Sequence, residues 1–348
     1  MKVLRAKVLG FCMGVRRAMN MAGSEARLLG DLACSKQIDG SPPHAAEHSG
    51  PPARDPSSIP PLSQPKIFTI GPLIHNPQAL KTLSEQGISV LEEDALPPCL
   101  TGAVLIVRAH GITPGLEETL KERGGRLVDA TCPHVRSSQT RARQLAEAGY
   151  HIFLAGEKRH GEIIGIQGYA EQGQKALLES GRMPEASGGG DAAPGLPCTI
   201  VADAAEAEEA ARLLHEKNSG LSCALLAQTT MSPEEYKKTG DAILKYFPSL
   251  RIVDTICGAT RDRQEALREL CAAVEAVIIA GGRESANTRR LLAIARNSGV
   301  PAWLAETQAD LPKEIWNYSV VGLSAGASTP DSIIRDIERA LTGSQDAV

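Results

Sequence analysis

Apolar residues along this chain gather into short β-branched runs separated by stretches with helical spacing. KIFTIGPLIHNP, YHIFLAGEKRHGE and EAVIIAGGRESAN each open on such a run and break into glycine and polar residues. LIVRAHGITPGLEE, LLAQTTMSPEEY and VGLSAGASTPDSII do the same, and then show signals for a helix start. Apolar runs bounded by turn residues and alternating with amphipathic stretches predict an α/β architecture.

The elements repeat. RLVDATC, ending at Cys132, resembles RIVDTIC, ending at Cys257, and each is followed by a helix-like stretch and a strand. Gly156 and Gly281 each lie 24 residues after their cysteine, His160 and Ser285 lie 28 after, and Glu162 and Asn287 lie 30 after. A third copy starts at KVLGFCMGVRRAM with Cys12, and its second strand precedes Gly71 and His75 with the same offset of four residues. Each copy closes on a hydroxyl–proline pair, Thr113–Pro114, Ser232–Pro233 or Thr329–Pro330, read as a capping hydroxyl with proline at the first helical position. The chain is thus expected to form three similar α/β domains related by a pseudo-threefold axis. They run over 1–126, 127–250 and 251–348. Two segments interrupt the pattern and are read as surface insertions: 36–65, which carries eight prolines, and 180–198, which includes SGGGDAAPG.

Composition narrows the function classes. A net charge of -4, aromatics at 3% and no long Lys/Arg run speak against nucleic-acid binding. No apolar stretch has the length of a membrane span or a secretory signal, so a cytoplasmic protein is expected. Of the eight cysteines, none forms a C-x-x-C pair, which excludes ribbon and finger zinc sites. Any metal site must be assembled across the fold.

Taken singly, a cysteine is usually a small buried hydrophobe, and Cys34, Cys99, Cys198, Cys223 and Cys271 are read that way. Cys12, Cys132 and Cys257 differ because they occupy equivalent strand–helix junctions. In open α/β sheets the carboxyl edge of the strands is where ligands bind. Three such edges around an axis would enclose one cavity with a thiolate from each copy, suited to zinc or an iron–sulfur cluster. His75, His110 and His160 fall on the same edge, as does Glu162, whose carboxyl would have a raised pKa in a closed cavity and could deliver a proton. Thr229, Ser285, Asn287 and Ser328 add neutral donors beside helix N-termini, a cradle for phosphate or diphosphate. HAAEH in the proline-rich insertion has metal-like spacing but no helical setting.

These motifs together resemble the 4-hydroxy-3-methylbut-2-enyl diphosphate reductases of the LytB/IspH family. GFCMGVRRA, GPLIHNPQ, RAHG, DATCP, HGEIIG, QTTMS, DTICGATRDRQ, SANTRRL and SAGAS run in order over nearly the whole chain. The resemblance implies one 4Fe–4S cluster held by Cys12, Cys132 and Cys257, with an open iron for the allylic hydroxyl of the substrate. It implies reductive loss of that hydroxyl as water, giving isopentenyl and dimethylallyl diphosphate in the terminal step of the non-mevalonate pathway. It gives Glu162 the role of proton donor, with His160 and Thr229 at the hydroxyl end. His75, His110, Ser285, Asn287 and Ser328 become diphosphate binders, and a ferredoxin or flavodoxin the electron donor. Ala286 stands where family members often carry serine; its backbone still faces the ligand in this expectation. Competing expectations are a redox-neutral iron–sulfur dehydratase, using the open iron only as a Lewis acid, and a cluster-based redox sensor. The sensor needs a DNA- or partner-binding module, and no basic helix-turn-helix-like segment accompanies the motifs.

Overall fold

The computed structural model describes residues 1–38, 66–181 and 197–343; most of the two expected insertions, HAAEH included, lies outside them. The chain opens with β1 (Lys2–Arg5) and α1 (Met13–Ile38). There follow β2 (Lys66–Ile70), α2 (Pro77–Glu85), β3 (Ile88–Leu91), β4 (Ala103–Val107), α3 (Pro114–Glu122) and β5 (Arg126–Asp129). The next stretch carries α4 (Pro133–Glu147), β6 (His151–Ala155), α5 (Gly161–Ser180), β7 (Cys198–Val201), α6 (Ala204–Lys217), β8 (Cys223–Ala227), α7 (Pro233–Leu244) and β9 (Arg251–Ile252). The last carries α8 (Gly258–Cys271), β10 (Ala276–Ala280), α9 (Ala286–Asn297), β11 (Ala302–Ala305), β12 (Val320–Ala325) and α10 (Asp331–Thr342).

The strands form three four-stranded sheets, ordered β3-β2-β4-β5, β7-β6-β8-β9 and β11-β10-β12-β1, and every pairing is parallel. Parallel sheets need crossover helices that cover both faces, so their central strands read as unbroken apolar runs. VLIV of β4, IFLA of β6, ALLA of β8 and VIIA of β10 are buried at every position. Side chains alternate between the faces. In the second sheet Phe153 and Leu225 pack on one side, while Ile152, Leu154, Ala224 and Leu226 pack on the other. The first and third sheets are likewise packed on both faces.

The strand before each cysteine pairs backwards. β5 joins β4 with Leu105 opposite Leu127, and β9 joins β8 with Leu225 opposite Ile252. By the same rule β1 leaves its sequence neighbours and closes the third sheet, with Val3 opposite Val321. The expected borders at 126/127 and 250/251 therefore move past these short strands, and residues 2–5 belong with the third unit. The units also differ in the link before their third strand. Only the second has a full helix there, α6; Pro97 and Pro98 in the first and Pro312 in the third remove the donors a helix needs. Among the described residues no helix is long and apolar enough to cross a membrane.

Candidate active site

Because all strands run parallel, the loops that follow them open at the same edge of each sheet, and the three edges line one cavity of ≈ 100 Å³. That is far more than a single water occupies, so the space suits a multi-atom ligand. Its wall contains the three cysteines Cys12, Cys132 and Cys257, the histidines His75, His110 and His160, and Glu162. Thr229, Ser285, Ala286, Asn287 and Ser328 complete the set expected from sequence, all in this cavity.

Each cysteine immediately precedes a helix, α1, α4 or α8, and is half-buried. Its own N–H is held by a loop of the neighbouring unit: Cys12 donates to Ala327 O at 3.1 Å, Cys132 to Ala109 O at 2.9 Å and Cys257 to Thr229 O at 3.0 Å. This cyclic handover turns the sulfurs inward at three helix N-termini, where free N–H groups favour an anion. Val15 N–H donates to Cys12 Sγ at 3.5 Å. The N–H groups of His134 and Val135 serve Cys132, and those of Ala259 and Thr260 serve Cys257. Burial pushes the Cys132 and Cys257 thiols up, these N–H bonds pull them down, and the neighbouring cysteines push them up again. A metal that replaces the protons removes that conflict. Gly14 makes room for the arrangement, since a Cβ there would sit 2.6 Å from Cys132 Sγ.

Among the described residues, the one trio of His, Cys, Asp or Glu whose ligand atoms all lie within 4.8 Å of one another is His75, His110 and His160.

The histidine rings lie 4.7 to 5.5 Å apart, centroid to centroid. Burial holds all three below the usual imidazole range and the charge of Arg108 adds to it, as do neighbouring rings for His110 and His160: His160 falls to about 3 and His110 well below its ordinary value. Arg108 is paired with Glu93 at 2.7 Å, and Arg289, which also weighs on His75 and His160, is paired with Glu157 at 2.6 Å. The trio is therefore neutral in the free protein, and each of the two arginines that lower its members is offset by its own carboxylate partner. His160 caps α5, its Nδ1 accepting from Glu162 N–H at 3.2 Å, which leaves its proton on Nε2.

Glu162 stands one position into α5 and is 1% exposed. Its carboxylate accepts the Thr229 N–H at 2.6 Å and the Thr229 hydroxyl at 2.9 Å. Burial outweighs those bonds and raises its pKa to about 7. At neutral pH it is poised between acid and base. Across the cavity, Ser285 caps α9 by accepting from Thr288 N–H, Asn287 Nδ2 is buried with no partner, and Ser328 donates to His75 O at 3.3 Å. The carbonyl of His75 also lies against Gly282, where a Cβ would meet it at 2.5 Å, so the first and third units touch here.

Some expectations fail in detail. Thr113 and Ser232 cap α3 and α7 ahead of their prolines, but Thr329 turns its hydroxyl to Ala280 O at 3.0 Å and Pro330 becomes the cap position of α10. Cys198, Cys223 and Cys271 are buried, whereas Cys99 is only half-buried. His134, Thr230, Thr260 and Arg263 line the cavity and are missing from the sequence-derived set. Arg263 had a signal: it shares a helical stripe with the apolar Leu267 and Leu270.

A family model described as LytB protein matches residues 61–342. The chain is 38% identical over 355 residues to the 4-hydroxy-3-methylbut-2-enyl diphosphate reductase of Treponema pallidum (strain Nichols), covering 97% of this chain and 83% of that protein. Of the solved structures, the E-1-hydroxy-2-methyl-but-2-enyl-4-diphosphate reductase of Plasmodium falciparum superposes with a TM-score of 0.74 at 23% identity, over 98% of this chain and 88% of the other. A second, described as (E)-4-hydroxy-3-methyl-but-2-enyl diphosphate reductase, the terminal enzyme of the non-mevalonate pathway, gives 0.59 at 30% identity, over 99% and 100%.

Proposed function

The chain belongs to the LytB family, and from that premise we infer that it is the reductase converting 4-hydroxy-3-methylbut-2-enyl diphosphate to isopentenyl and dimethylallyl diphosphate, the last step of non-mevalonate isoprenoid synthesis. The observation that carries this reading is the meeting of three thiols, three neutral histidines and one buried carboxyl in a single cavity.

Cys12, Cys132 and Cys257 would hold one 4Fe–4S cluster. In support, they line one cavity and their sulfurs receive helix N-terminal N–H bonds. The chemistry such a cluster supplies when bound is single-electron delivery and, at the iron without a cysteine, a Lewis acid for the allylic oxygen. The diphosphate lies against His75, His110, His160, Ser285, Asn287, Ser328 and the first-turn N–H groups of α9 at Ala286 and Asn287. The unpartnered Asn287 Nδ2 is a donor reserved for it. Anion binding draws protons onto the histidines, so the site gains positive charge only when the ligand is present. Glu162, protonated through its raised pKa, passes its proton by way of the Thr229 hydroxyl toward the departing oxygen, and His160 orients that end of the substrate.

Reduction needs an electron donor, and a ferredoxin or flavodoxin fits the protein's outer face. Met13, next to Cys12, is 62% exposed, and Arg16 and Arg17 in the first turns of the same helix form no ion pair among the described residues, so an acidic protein would dock there, close to Cys12. A cytoplasmic setting, which keeps thiols reduced, belongs to the same proposal. The test is an anaerobic assay with reduced viologen and the hydroxylated five-carbon diphosphate. Formation of both isopentenyl and dimethylallyl diphosphate is expected; substrate returned unchanged by iron-loaded protein would overturn the assignment.

A further inference from the structure

We propose that Arg263 is the built-in counter-charge of the three-cysteine centre and holds its reduction potential up. This rests on the cluster reading above. Arg263 is 2% exposed and lines the same cavity as the cysteines. One nitrogen, Nη1, donates to Ala325 O at 2.9 Å, while Nε has no hydrogen-bond partner. Its neighbours on α8 behave differently: Arg261 pairs with Asp254 at 2.5 Å and Arg268 with Glu234 at 2.8 Å, but Arg263 joins no ion pair among the described residues.

A guanidinium does not shed its proton in a protein, and an uncompensated buried charge is strongly destabilising. Glu162 shares the cavity, but its carboxyl is already committed to the N–H and hydroxyl of Thr229. The groups whose negative charge reaches Arg263 are the sulfurs of Cys12 and Cys257. They carry that charge when metal has displaced their protons. An orphaned, permanently cationic side chain beside two ligand sulfurs therefore has its partner only in the cluster-loaded protein. The consequence is redox tuning. One electron from the donor protein makes the centre one charge more negative, and a fixed cation in a low-dielectric wall favours that reduced state.

The test compares Arg263→Met, which removes the charge but keeps much of the volume, with Arg263→Lys, which keeps the charge. Iron and sulfide content, thermal unfolding and spectroelectrochemical potential are measured on anaerobically prepared holoprotein. The Lys variant should track the native chain. In the Met variant the reduced-to-oxidised ratio at a fixed potential should fall about tenfold or more, equivalent to 59 mV for one electron. A fully loaded Met variant with unchanged potential would overturn the proposal. Should the Met variant fold poorly, Arg263→Gln, which keeps a donor for Ala325 O, takes its place. If neutral variants fold but lose iron while Lys retains it, the counter-charge stands; loss shared by Lys and neutral variants would assign Arg263 to packing and overturn it. A native chain without iron would instead sink the cluster reading itself.

Discussion

Replacing Glu162 by Gln removes one proton and leaves the shape. The carboxyl is fully buried and its pKa stands at about 7 against an ordinary 4.5. In the unfolded chain it ionises near 4.5; in the folded chain it holds its proton until about pH 7. Between those values the folded state binds more protons, so stability falls as pH rises through that window and stays low above it. At 1.36 kcal/mol per pH unit, the buried carboxylate costs the folded protein about 3 kcal/mol above pH 7. Glutamine carries no such cost. Glu162→Gln should therefore be more stable than the native cluster-free chain at pH 8 by up to about 3 kcal/mol, and the gap should close by pH 4.5. Denaturant unfolding of the two cluster-free proteins at both pH values measures it. The same change should lower kcat by about 10²- to 10⁴-fold, the usual worth of a positioned general acid. It should also abolish the fall in rate expected of the native enzyme as pH rises through 7. Native-like turnover, or an alkaline limb that survives the substitution, would refute Glu162 as the proton donor.

Gly14→Ala should leave the fold intact by circular dichroism but cut iron loading, because the new methyl would sit 2.6 Å from Cys132 Sγ; full loading would show that α1 can move aside. Substrate binding to the neutral histidines should take up protons, read as a buffer-dependent enthalpy in calorimetry, and affinity should weaken as pH rises. Buffer-independent binding would show that His75, His110 and His160 stay neutral with the diphosphate. Ala286→Ser, which adds a hydroxyl at the buried start of α9, should lower KM several-fold if the diphosphate lies there, since one such bond is worth about 1 kcal/mol. An unchanged KM would place the diphosphate elsewhere in the cavity.

The repeat made much of this fold legible. Equal offsets from Cys132 and Cys257 to Gly156 and Gly281, and onward to Glu162 and Asn287, fix equivalent loop positions whatever the packing between. The partner of β1 was not legible, because its pairing with β12 spans more than three hundred residues and nothing local to KVLR records it. Arg263 and Arg108 escaped for a related reason. An arginine reads as exposed by default; the stripe with Leu267 and Leu270 pointed to burial of Arg263, but its place beside the cysteines, and that of Arg108 wedged between Gly71 and Gly161, come only from the folded sheets. Thr329 shows the limit of capping motifs: the hydroxyl–proline pattern is present, yet the hydroxyl donates to Ala280 O and Pro330 takes the cap position.

Iron and sulfide analysis of anaerobically purified protein tests the central claim most directly. About four of each per chain, with a brown colour, is the predicted result, lost on changing Cys12, Cys132 or Cys257 to Ser and retained on changing Cys223. Colourless protein with stoichiometric zinc, or iron that survives loss of any of the three thiols, would contradict it.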